Sequence, residues 1–257
     1  MKILKIISKL LSKISTLWLL RDYFCHSLLN KKFRERRRII EQIDENTLKQ
    51  KWGCSDFEER SFPTLSDFKT DGWFRFMYQR YLMATRYTRE KTVLDSCCGL
   101  GWGSFLIAMN SKLVIGVDSD LPSIQFARNV WKSSNLNFIQ KDIFDFFKTN
   151  KISFDVILAM ETLEHFTKED GIRYLQGIVA SLNSNGIFIG SSSFAETREQ
   201  AEMQCTENPN HLYIYTEKEI KEYLNNYFEN VKIYSRLFFL ASKKKQKNLY
   251  EYKISML

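Results

Sequence analysis

Residues 92–104 read Thr92-Val-Leu-Asp95-Ser-Cys-Cys-Gly99-Leu-Gly101-Trp-Gly103-Ser104. An apolar run ends in an acid, passes into a glycine-rich turn and opens into a helical stretch. Few folds accommodate that order. In an open α/β sheet it is the crossing from a strand to the helix that covers it, and ligands collect at that carboxyl edge. Gly99 and Gly101 suit a turn whose backbone must approach a ligand closely.

The rest of the chain repeats the alternation. Apolar, β-rich runs fall at 92–96, 112–118, 136–141, 153–160 and 185–193, with helical periodicity at about 102–110, 120–133, 168–182 and 216–228. Strands alternating with helices predict a doubly wound, mainly parallel sheet covered on both faces. A further strand at 231–236 predicts an antiparallel C-terminal hairpin, with its partner at either 237–242 or 249–256. A helix at 73–89 leads into the first strand, so residues 73–257 read as a Rossmann-like domain. Residues 1–72 read as a basic, mostly helical extension with an irregular link at its end.

Charge separates the two parts. Residues 1–51 hold thirteen Lys or Arg against five acids, and the remainder carries twenty-five of each sign, so the net +8 lies in the extension. A neutral domain argues against a large nucleic-acid footprint there. Residues 2–20 place Ile3, Ile7, Leu10, Ile14 and Leu17 on one helical face, and Lys2, Lys5, Lys9 and Lys13 on the other. Lysine interrupts that run too often for a membrane span, and no cleavage site follows it. Two readings stay open. The helix lies on an anionic membrane surface, each lysine adding about 1 kcal/mol, or it packs on the rest of the protein. The run Phe33-Arg-Glu-Arg-Arg-Arg38 extends the basic character and suits a solvated face.

Five cysteines with no CxxC pair suggest free thiols and a reducing compartment, hence a cytoplasmic protein, peripheral at the inner membrane face if residues 1–20 engage it. No spacing of Cys, His, Asp and Glu suggests a metal site, and none is expected.

The next strand ends at Asp118, where a carboxylate can accept hydrogen bonds from both hydroxyls of a ribose. A dinucleotide is the rival ligand, since Gly99-x-Gly101-x-x-Ser104 imitates its fingerprint. The acid directly before the loop opposes it, because a pyrophosphate would be repelled.

With the later segments KDIFDF (141–146), FDVILAMETLEHF (154–166) and LNSNGIFIGSSS (182–193), the chain resembles the class I S-adenosylmethionine-dependent methyltransferases. The resemblance covers about residues 75–236 and extends to the broad group acting on small molecules and glycans. It implies S-adenosylmethionine as cofactor. Gly99 and Gly101 would face its methionine part and Asp118 its ribose. Asp142 and Ile143 would flank the adenine, and Met160 would line the floor. Asp95, Ser96, Cys97, Trp102 and Ser119 complete the expected cofactor set. Cys97 stands where the family has its first glycine, which predicts local distortion.

Methyl transfer from a sulfonium mainly requires an acceptor held in line, and a hydroxyl acceptor also needs a base near neutral pH. His165, after the fourth strand, and His211, in an Asn-Pro-Asn-His loop, are the candidate bases. Glu161 is the candidate orienting group. The favoured reaction is O-methylation of a sugar, glycolipid or other small molecule. RNA or protein methylation is the alternative, and the Asn-Pro-Pro-Tyr type tetrapeptide of many nucleobase enzymes is missing after the fourth strand. A cofactor-binding interaction domain without catalysis is the third reading. Oligomeric state is not legible.

Overall fold

A computed structural model of the chain describes residues 72–234 and 238–243, together with Lys51 and Gly53. The basic helix expected over 2–20, the rest of the extension and the alternative strand at 249–256 lie outside the described residues. The chain divides into two compact units, residues 1–83 and 84–257. Helix α1 (Gly72–Thr88) crosses that division. Within the first unit it buries Met77, Tyr78, Tyr81 and Leu82.

The second unit alternates as its sequence pattern requires: β1 (Thr92–Ser96), α2 (Trp102–Ile107), β2 (Leu113–Asp118), α3 (Leu121–Val130), β3 (Leu136–Gln140), α4 (Ile143–Thr149), β4 (Phe154–Met160), α5 (Lys168–Ser181) and β5 (Leu182–Ser191). An insertion follows, made of β6 (Phe194–Ala195), α6 (Arg198–Glu207) and β7 (Tyr215–Thr216). Then come α7 (Glu217–Tyr227), β8 (Phe228–Tyr234) and β9 (Phe238–Lys243). One seven-stranded sheet has the order β3-β2-β1-β4-β5-β9-β8. β9 runs antiparallel to β5 and to β8, and the other pairings are parallel. The sheet is the doubly wound, mainly parallel one expected, and its last strand is the 237–242 alternative.

Strand periodicity sends neighbouring side chains to opposite faces, and β1 shows both. Asp95 accepts a hydrogen bond from Ser104 of α2 at 2.6 Å. Ser96 is hydrogen-bonded to Tyr174 of α5. Helices therefore cover both faces, and β1 is buried from Val93 to Ser96. On the α5 face the core joins Leu94, Ile115, Ile157, Tyr174, Ile178 and Phe188. On the other face Phe105 stacks on Trp131 with ring centres 5.2 Å apart.

Caps fix where the helices begin. Asp120, Asp142, Thr167, Thr197 and Thr216 each accept from a backbone amide in the first turn. Thr216 and Glu219 form a reciprocal capping box. Three elements exceed the sequence expectation: α4, α6 and the two-stranded β6–β7 pair. α4 has only seven residues, too few for a helical period to repeat, and α6 buries only Ala201 and shows no apolar stripe. Among the described residues no helix is long and apolar enough to cross a membrane.

Candidate active site

The carboxyl ends of β1 and β2 meet in a compact polar knot. Asp95 is fully buried. The chain then turns at Cys97, whose φ of 57° is left-handed. A side chain in that conformation costs about 1–2 kcal/mol, which is the distortion expected where glycine is replaced. The Cys98 amide donates to the Val117 carbonyl at 3.0 Å, and the Gly99 amide to Asp118 Oδ2 at 2.8 Å. Asp118 Oδ1 accepts from the Asp120 amide at 3.0 Å. The loop is thus tied to the neighbouring strand before any ligand arrives.

The two glycines do different work. Gly101 has φ 76°, and a Cβ there would stand 2.6 Å from the Phe138 ring and 2.8 Å from Ala127. Its role is internal packing. Gly99 has φ 52° and a Cβ on it would meet nothing within 4 Å, so its outer side is open.

Three carboxylates surround Cys97. Burial, then the charges of Asp118, Asp95 and Asp142, push its thiol well above the usual range, and burial with Asp118 and Asp95 does the same to Cys98. Both thiols stay protonated and are poor nucleophiles. Asp142 caps α4, its Oδ1 accepting from Phe144 and Asp145 at 2.9 and 3.1 Å. Ile143 is buried beside it. Ser96 spends its hydroxyl inside the fold, on the Leu158 carbonyl at 2.6 Å and on Tyr174. Ser119 is exposed, and Trp102 is buried at the start of α2.

The second cluster follows β4, which pairs with β1 in parallel and so ends on the same edge of the sheet. Met160 is buried, and Glu161 takes a left-handed φ of 50°, its amide donating to the Ser191 carbonyl at 2.9 Å. Strain at such a position costs about 1–3 kcal/mol and aims the next residues. Leu163–His165 forms a single 3₁₀ turn, and α5 begins only at Lys168.

Glu164 is 1% exposed. Its carboxylate accepts from the Ser192 hydroxyl at 2.9 Å and the Ser193 amide at 3.2 Å. Burial, then the neighbouring Glu161, push its carboxyl well above the usual carboxylate range despite those bonds. Its backbone carbonyl receives the amides of Leu212 and Tyr213 at 2.7 and 3.2 Å. His165 Nδ1 donates to the Asn210 carbonyl at 3.0 Å. The Asn208 amide donates to His211 Nε2 at 3.2 Å. These bonds zip the 208–213 loop onto the 3₁₀ turn and bring the two imidazoles edge to face, ring centres 5.2 Å apart. Glu164, His165 and His211 each offer a ligand atom within 4.8 Å of the others.

A latch holds the far side of that loop. Arg198 donates to the Tyr213 hydroxyl at 2.8 Å and the Ile214 carbonyl at 2.7 Å, and pairs with Glu219 at 3.2 Å. Glu164, Ser192, Ser193, Asn208, Asn210 and Arg198 are site-building residues that the sequence pattern does not single out.

The residue pattern of a methyltransferase-domain family matches residues 88–252. The chain belongs to that family. The strand order and the antiparallel β9 give this methyltransferase the class I, Rossmann-like fold of the S-adenosylmethionine-dependent enzymes. Two curated relatives match parts of it. One is an uncharacterized RNA methyltransferase of Mycoplasma mobile, 39% identical over 73 residues, 27% of this chain and 20% of that protein. The other is the ubiquinone biosynthesis O-methyltransferase of Vibrio atlanticus, 31% identical over 104 residues, 37% of this chain and 44% of that protein. The chain thus spans a fifth to under half the length of these relatives.

Among solved structures it is similar to the N-methyltransferase NodS of Bradyrhizobium japonicum bound to S-adenosylhomocysteine. The TM-score is 0.55 with 14% identity, covering 77% of this chain and 99% of that one. The 1,6-didemethyltoxoflavin-N1-methyltransferase of Burkholderia thailandensis gives a TM-score of 0.53 with 21% identity, covering 69% of this chain and 81% of that one. At these identities the likeness concerns the fold.

Proposed function

We propose that this methyltransferase binds S-adenosylmethionine over the β1–β2 knot and methylates a hydroxyl oxygen of a sugar, glycolipid or other small molecule. The observation that carries the reading is the pair of imidazoles, His165 and His211, held at the carboxyl edge next to the strand that leads to Gly99. When bound, the cofactor supplies an activated methyl group. Gly99 leaves room for its amino-acid part. Asp118, with two oxygens already oriented by backbone amides, has lone pairs left for the ribose hydroxyls. Asp142 and Ile143 flank the adenine side, and Glu161 orients the acceptor.

His165 Nδ1–H is committed to a carbonyl, which makes Nε2 the basic nitrogen and fixes which atom would take the acceptor's proton. His211 lies across from it and lines the same mouth. General-base assistance of this kind supplies about 10²–10⁴-fold. The ubiquinone-pathway relative, which by its name acts on an oxygen, favours this chemistry.

The segment shared with the RNA methyltransferase of Mycoplasma mobile, together with the basic residues 1–51, favours RNA as the second reading. The test is incubation with methyl-labelled cofactor and fractionated host lysate, with Asp118→Ala as control. Label in a glycan, lipid or small-molecule fraction, lost in the variant, is the expected result. Label confined to RNA or protein overturns the proposed acceptor. Cofactor binding without label in any fraction favours the non-catalytic reading.

A further inference from the structure

We propose that Glu164, His165 and His211 form a divalent transition-metal site at the acceptor mouth, with Zn²⁺ the best-matched ion. Two imidazoles and one carboxylate, with coordination positions left for a substrate, are a donor set that Zn²⁺ accepts in catalytic sites. Their ligand atoms already lie within 4.8 Å of one another. Four-coordinate Zn²⁺ would draw them to about 3.4 Å, given ligand distances of roughly 2.1 Å. His165 and His211 are only half-buried and can make that movement.

The groups behind the ligands are those a metal site uses. A ligating histidine ordinarily gives its other ring N–H to a carbonyl or carboxylate, and His165 Nδ1 does so to the Asn210 carbonyl at 3.0 Å. Ser192 and Ser193 hold the Glu164 carboxylate from behind. Asn208 Nδ2 donates to His211 Nε2 at 3.2 Å while its Oδ1 accepts from the Asn210 amide at 3.0 Å, so an ion bound through Nε2 would take the place of the Asn208 donor. Glu164 is buried, with both carboxyl oxygens held by Ser192 and Ser193. Among the described residues this is the one His/Cys/Asp/Glu group with such spacing.

The site deepens the O-methylation reading and rests on it for its role alone. A bound Lewis acid lowers the pKa of a hydroxyl in its open position, so with the ion in place the acceptor would give its proton to solvent water, and the ion, not the His165 Nε2 it occupies, would activate the hydroxyl. Metal binding itself does not depend on the acceptor.

The test titrates the chelator-treated, full-length protein with Co²⁺, then displaces it with Zn²⁺. S-adenosylhomocysteine binding is measured alongside to certify the fold. Expected is about one equivalent of Co²⁺ with a visible d–d band that Zn²⁺ abolishes. His165→Gln, His211→Gln and Glu164→Gln should each weaken binding by more than the about 10–100-fold that loss of a group supporting a ligand costs, with cofactor affinity retained. Absence of the band, or a band that persists in the His165→Gln/His211→Gln double variant, overturns the proposal. Stoichiometric binding to a protein that methylates no hydroxyl acceptor would retain the site and remove the O-methylation reading. Full methyl transfer by chelated protein that binds no Co²⁺ would do the reverse.

Discussion

The two halves of the catalytic edge are assembled in different ways. The half proposed to hold the cofactor joins residues close in sequence: Asp95, Cys97, Gly99 and Asp118 lie within one strand–turn–helix–strand unit, linked by the Gly99–Asp118 and Ser104–Asp95 bonds. The proposed acceptor half joins residues far apart, with the 3₁₀ turn after β4 zipped to a loop more than forty residues later. Local turn chemistry and strand pairing suffice for the first. The second exists only while the insertion between β5 and α7 folds back. Under the proposed reading, acceptor specificity is free to vary there without disturbing the β1–β2 knot.

The largest expected effect separates chemistry from cofactor binding. His165→Ala or His211→Ala should lower kcat by about 10²–10⁴-fold while leaving S-adenosylhomocysteine affinity unchanged by calorimetry. Equal losses in both quantities would show that the two halves are not separable. Asp118→Ala should do the converse. Loss of a carboxylate bonded to ribose hydroxyls removes about 3–4 kcal/mol, several hundredfold in Kd. An unchanged Kd would remove Asp118 from the site.

The glycines sharpen the comparison inside the cofactor half. Gly101→Ala forces a Cβ against Phe138 at a left-handed φ and should cost about 3 kcal/mol in denaturant unfolding. Gly99→Ala faces open space, so its stability cost should be limited to about 1–2 kcal/mol of backbone strain, and its main effect should be on cofactor affinity. The reverse ranking would mean that the loop is oriented otherwise.

The smallest effect concerns the latch. Burial alone would raise the Glu219 carboxyl, but hydrogen bonds from the Thr216 amide and hydroxyl and from Tyr213, with the Arg198 charge, hold it below the usual range. A depressed folded value adds stability above the unfolded pKa near 4.5, and that stability is lost as pH falls through the folded value. Glu219→Gln should flatten this acid limb in a melting series from pH 6 to 3. Because the pair is partly solvated, the effect should stay under about 1 kcal/mol. An unaltered limb would discard the latch as an electrostatic element.

The sequence by itself determined the alternation of strands and helices, the sheet class and the glycine-rich turn at the carboxyl end of β1. Period-2 burial, capping residues and the acid–glycine turn are local signals, written in contiguous residues such as Thr92 to Ser104. It left the last strand open between two segments, because Phe238–Lys243 is chosen by pairing with β5 and β8 rather than by its own pattern. It missed α6 and the β6–β7 pair, whose short segments carry little periodicity. Only the tertiary structure decided that Gly101 serves packing, that Ser96 is consumed by Tyr174, and that Glu164, His165 and His211 stand together. The physical reason is distance along the chain. A contact between residues 165 and 211 depends on loop closure and on backbone bonds such as Leu212 to Glu164, and neither leaves a spacing that a linear reading can detect.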